Sequence, residues 1–168
     1  IIQNAFLITS VFLRNQKYIV SYGLTHKRIG VAIFLLLTLI GLITMFLKIN
    51  KIRSFYYVFK TNTWVWLIGL ASLSAVDWDS QIVRYNLKNQ APQTIDFQYL
   101  LSDLSYHTYP MQYDYFRRHE GFDKHQQKIE NRMRIFLKNQ QYRSWLSWNI
   151  ADAQTVRFFE NTNNMTRF

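Results

Sequence analysis

Cysteine is missing from the 168 residues, which excludes disulfides, thiolate metal sites and a cysteine nucleophile. Glycine is scarce, at five residues, and they form no glycine-rich phosphate loop. Neither Gly-x-Ser-x-Gly nor His-Glu-x-x-His occurs, so two common hydrolase signatures are absent. The third shortage is of acid. No carboxylate precedes Asp77, while eight bases do: Arg14, Lys17, Lys27, Arg28, Lys48, Lys51, Arg53 and Lys60. From Asp77 onward twelve bases face ten acids, so the net charge of +10 comes almost wholly from the first 76 residues. Those bases bracket apolar runs and do not line one polar face, so nucleic acid is not the expected partner.

What is present is an uncharged run of nineteen residues, Ile29 to Leu47, IGVAIFLLLTLIGLITMFL. At about 1.5 Å per residue a helix of that length covers about 28 Å, close to the hydrocarbon thickness of a bilayer. A buried helix of a soluble protein can be apolar all round as well. It would rarely stay so for five turns between Lys27-Arg28 and Lys48. The run reads as a membrane span. Two further apolar segments flank it, residues 1–13 and 61–76. The first is too short to cross alone and has neither the basic start nor the small-residue cleavage site of a signal peptide. It reads as the second half of a span in a longer membrane protein. The second, TNTWVWLIGLASLSAV, becomes small-sided after Gly69, which suits close helix packing in lipid.

Between these segments the composition is that of a membrane surface. Arg14 closes the first segment, and Gly23 and Thr25 suit a turn followed by a helix cap. Arg14, Lys17, Lys27, Arg28, Lys48, Lys51, Arg53, Tyr56, Tyr57, Trp64, Trp66 and Trp78 are the expected interface residues, cations that snorkel and rings that prefer the headgroup level. The central span carries no ionisable residue of the kind that marks transport or proton relay.

Residues 77–168 read as a small helical domain outside the membrane, with 18 Asn and Gln and no strand pattern. A helix start is expected at Asp77 to Ser80 and a short helix over 94–105. An ordered loop is expected over 106–115, where Pro110 and four tyrosines stand. The longest helix is expected over 123–148, with Asp123 and Gln126 as an approximate capping box and Ile129, Met133, Phe136 and Leu137 as its apolar stripe. The fold class expected is therefore all-α, about three membrane helices followed by a helical extramembrane domain.

Several pieces together resemble a known family. Tyr22-Gly23-Leu24-Thr25 followed by Arg28 and a long span is similar to the YGLTxxR signature of bacterial membrane proteins in the related domain-of-unknown-function 4153 and 4173 families. Asp77-Trp78-Asp79 leading to Arg84-Tyr85-Asn86 resembles their pattern too. Residues 95–101, IDFQYLL, are similar to their DxxYL element. Residues 143–149, RSWLSWN, resemble their aromatic Trp-Arg-Ser-x-Asn ending, although Trp and Arg are here in another order. The resemblance implies an integral protein of the bacterial cytoplasmic membrane with further spans before Ile1. It implies no activity and carries over no functional residue.

Three groups of residues are candidates for chemistry. Asp77 and Asp79 could hold a divalent ion, but a helix splays such a pair and capping explains it as well. His119, Glu120 and His125 do not share a helical face, and zinc needs three or four convergent ligands. Lys124, Lys128 and Arg132 step by four along one helix and, with Trp145 and Trp148, form the expected partner or lipid surface. No catalytic residue and no cofactor is expected. The reading is a non-catalytic membrane subunit or scaffold of a bacterial envelope complex, held by the bilayer and by other membrane proteins or spans. The alternative is an envelope enzyme or transporter, for example one performing metal-assisted transfer to a lipid-linked acceptor, to which Asp77 and Asp79 contribute.

Overall fold

The computed structural model describes residues 1–119, 121–140 and 149–165, and contains no strand among them. The chain divides into two compact units, Ile1–Trp78 and Asp79–Phe168. It is all-α, as its periodicity indicates.

The first unit holds three helices, α1 (Ile2–Tyr22), α2 (His26–Asn50) and α3 (Phe55–Ser74). α2 packs against both α1 and α3. Each helix is longer than its apolar run. α1 does not close at Arg14. Arg and Lys are good helix formers, so the helix continues through Arg14 and Lys17 until Gly23 stops it. α2 opens at His26, behind the cap that Thr25 supplies, and runs past Lys48 to Asn50. α3 starts at Phe55, six residues before the apolar run at Thr61, because the aromatic stretch after Ser54 is itself helical. The connection before it, residues 51–54, is tight enough to place Ile52 at φ 47, a conformation that β-branched residues rarely adopt.

Burial in this unit is sparse. Asn15, Ile19, Leu35 and Thr44 are its buried side chains, and α3 buries none. Phe6, Phe34 and Ile68 remain 74%, 65% and 61% exposed. Among the described residues α2 is the one helix long and apolar enough to cross a membrane.

The second unit is built from α4 (Trp78–Asn89), α5 (Phe97–Ser102), a 3-10 turn (Tyr106–Thr108), α6 (Tyr109–Arg118), α7 (Asp123–Gln140) and α8 (Ile150–Met165). α6 is central and packs against the 3-10 turn, α7 and α8. Its Tyr109, Tyr113 and Phe116 are buried, as are Ile129, Met133 and Phe136 of α7 and Phe159 of α8. Rings mesh through this core. Phe97 meets Phe116 at 5.0 Å, Tyr106 stacks on Phe136 at 4.8 Å and Tyr113 meets Phe159 at 5.7 Å.

Three expectations about the second unit need correction. The segment 106–115 is not a loop, because Pro110 falls in the first turn of α6, where its missing N–H costs nothing. The helix expected over 94–105 shrinks to α5, whose start is fixed by the Asp96 carboxylate accepting from the Tyr99 N–H at 3.0 Å. Gln126 makes no capping box with Asp123. Its amide donates instead to Tyr113 Oη and Glu130 Oε1, each at 3.3 Å. The expected extension of α7 to Trp148 lies outside the described residues.

Candidate functional site

The turn between α1 and α2 joins residues that lie apart in sequence. Gly23 adopts φ 80 and ψ 178, a region that is almost closed to any residue with a Cβ. Thr25 then caps α2, its Oγ1 accepting from the Arg28 N–H at 3.4 Å. The Arg28 guanidinium folds back, donates to the Gly23 carbonyl and lies 5.8 Å over the Tyr22 ring. Asn15, one turn before the buried Ile19 on α1, closes the arrangement by donating from Nδ2 to the Arg28 carbonyl at 3.1 Å. Tyr22, Gly23, Thr25 and Arg28 of the YGLTxxR pattern thus each have a structural task in one corner. Asn15 escaped sequence reasoning, since between Arg14 and Gln16-Lys17 it reads as one more polar residue of a connector.

A second polar contact ties α2 to α3. Thr44, 4% exposed, bonds its own helix at Gly41 O and meets the Asn62 amide of α3 at 3.2 Å. Near the α2–α3 turn, Lys48 lies 4.9 Å over Phe55 and Arg53 lies 5.6 Å over Tyr57. Pairs of this kind are worth about 0.5–1 kcal/mol at exposed sites. Lys51 and Tyr56 are exposed beside them. Arg14, Lys17 and Lys27 are exposed on α1 and α2 toward the other turn. Trp78 donates from its indole to Leu73 O at 2.9 Å. The earlier start of α3 moves Trp64 and Trp66 from the expected helix end to its middle, where both are exposed.

In the second unit the charged candidates are largely engaged with the fold. The Asp79 carboxylate accepts from the Ser105 N–H at 3.0 Å and from the Ser105 hydroxyl, anchoring the residue that opens the 3-10 turn. Arg132 does not continue the exposed row of Lys124 and Lys128. Its guanidinium turns inward to Leu101 O and to Tyr109 Oη, the latter at 3.2 Å. Tyr109 in turn donates to Leu101 O at 2.8 Å. Burial raises the Tyr109 phenol above its ordinary pKa, although the bond and charge of Arg132 pull the other way. Tyr115 is also raised by burial. Gln112 bridges Leu100 O and Thr108 Oγ1, each at 3.1 Å.

The two histidines go to different places. His119 stacks on Tyr115 at 4.1 Å, whereas His125 sits against Phe97 at 4.9 Å. Glu120, Trp145 and Trp148 lie outside the described residues. Among the described residues no three His, Asp or Glu side chains converge. The geometry thus offers apolar surface, cations at helix ends and polar groups spent on holding corners.

A family model described as "Domain of unknown function (DUF4153)" matches residues 1–115. No curated protein matches the chain, and no solved structure does.

Proposed function

Since the chain belongs to the DUF4153 family, whose description names no activity, we propose that it serves as a membrane-embedded scaffold of the bacterial cytoplasmic membrane. The observation that carries this reading is the exposure of α2. The helix is as apolar as a span, yet only 11% of its span window is buried. In water such a surface would drive association or aggregation, and in a bilayer it is already solvated. α1 and α3, which flank it, cross with it in this reading and make the protein multi-pass. Thr44 and Asn62 then satisfy one another inside the bundle, as polar groups in hydrocarbon must.

The helical second unit is the docking part of the scaffold. Lys124 and Lys128, with Trp145 and Trp148, meet an acidic protein surface or anionic headgroups. The alternative of an envelope enzyme or transporter working through Asp77 and Asp79 draws less support, because the Asp79 carboxylate already serves Ser105. Two measurements on the full-length protein test the scaffold. The chain should stay in the membrane pellet after alkaline carbonate extraction, and a stoichiometric protein should copurify in mild detergent. Release by carbonate would remove the membrane reading. A protein that purifies alone with a turnover abolished by Asp77→Asn would remove the scaffold.

A further inference from the structure

A groove of about 250 Å³ opens between the first half of α2 and the second half of α3, lined by Gly30, Phe34, Leu37, Trp66, Gly69 and Leu73 among others. Gly30 of α2 and Gly69 of α3 both line it, and small residues on neighbouring membrane helices ordinarily let the backbones touch. Here they do not. A Cβ built at Gly30 would meet nothing within 4 Å, and one at Gly69 would meet only Leu37 Cδ2 at 4.0 Å. The glycines therefore leave open space where two helices could have closed on each other.

The charge around one end of this space is mostly basic. Lys27, Gly30, Phe34 and Leu37 are spaced by three, four and three residues, so Lys27 stands one turn beyond Gly30 on the face that borders the groove. Side chains on a helix lean toward its N-terminus, which directs the exposed Lys27 away from the hydrocarbon and toward the headgroup level. Arg28 is its neighbour, and Lys17 and Arg14 lie about one and two turns before the end of α1, which meets the start of α2 through Asn15. The acid at this end is Asp77, beyond the end of α3.

On the membrane reading above, we propose that the groove holds one acyl chain of an anionic phospholipid whose phosphate is met by Lys27. An apolar slot fits the chain, and the basic end fits the headgroup. A second helix would need a neutral or acidic end and would gain little from a slot this narrow. A lysine is a point charge that suits a phosphate without demanding a fixed geometry.

The test uses the full-length protein purified in mild detergent, with phosphatidylglycerol or phosphatidylcholine of the same chain length added back and the retained lipid counted by native mass spectrometry. One phosphatidylglycerol per chain is expected, with phosphatidylcholine retained weakly. Lys27→Gln should weaken retention of phosphatidylglycerol about five-fold, while Lys138→Gln, which removes the same charge from α7, should not change it. Gly69→Leu, checked for unchanged helicity, should fill the groove and abolish retention, and Gly30→Leu takes its place if that variant does not fold. Equal retention of both lipids, or of phosphatidylglycerol by the leucine variant, would overturn the proposal. So would loss of a copurifying polypeptide in place of lipid, since the occupant would then be a helix. A chain that resists carbonate but fails these tests refutes the lipid site alone.

Discussion

A carboxylate beside another carboxylate invites a metal, and Asp79 shows why the invitation has to be checked against hydrogen bonds. Its oxygens accept from the backbone and the hydroxyl of Ser105, which fixes the turn that leads into α6. An amide oxygen can accept those bonds as well, but it cannot replace a charge in a metal site. Asp79→Asn should therefore retain most of the stability, and Asp79→Ala should lose about 1 kcal/mol, the usual net size of a lost hydrogen bond. Thermal unfolding of the two variants, with and without magnesium, separates the roles. Equal damage in both, with a magnesium-dependent shift in the parent alone, would restore the metal. Arg132 teaches the same lesson in reverse. Its place in a row with Lys124 and Lys128 was legible, but its inward bonds to Leu101 and Tyr109 depend on residues more than twenty positions away.

Helices were easier to find than to delimit. The central span was visible because nineteen uncharged residues have few other uses. α1 was underestimated because Arg14 and Lys17 end an apolar run without ending a helix, and α6 was missed because proline reads as a breaker unless its position in the helix is known. The contact between α2 and α3 was not legible at all, since Thr44 and Asn62 belong to separate runs. That contact has a measurable size. Membrane polar pairs average about 0.6 kcal/mol in double-mutant cycles, and a cycle of Thr44→Val with Asn62→Leu should return a coupling of about that size in a detergent unfolding assay. Strict additivity would mean that the two side chains only share a neighbourhood.

For the molecule as a whole, alkaline pH probes the second unit. The folded state keeps the Tyr109 proton above the pH at which an unfolded tyrosine releases it, about 10. Stability from this phenol is complete below that value and falls as pH rises through the higher folded pKa. The unfolding temperature should therefore fall above about pH 10, and Tyr109→Phe should flatten the slope while leaving the share due to Tyr115. An unchanged slope would place the sensitivity elsewhere.

The match to the family stops at residue 115, three residues short of the end of α6. Tyr109 and Tyr113 lie within it, but α7 and α8, which cover that helix, lie beyond. The family match thus ends partway through a core, with the covering helices outside it. A chain cut at residue 115 would leave Tyr109 and Tyr113 without the helices that bury them.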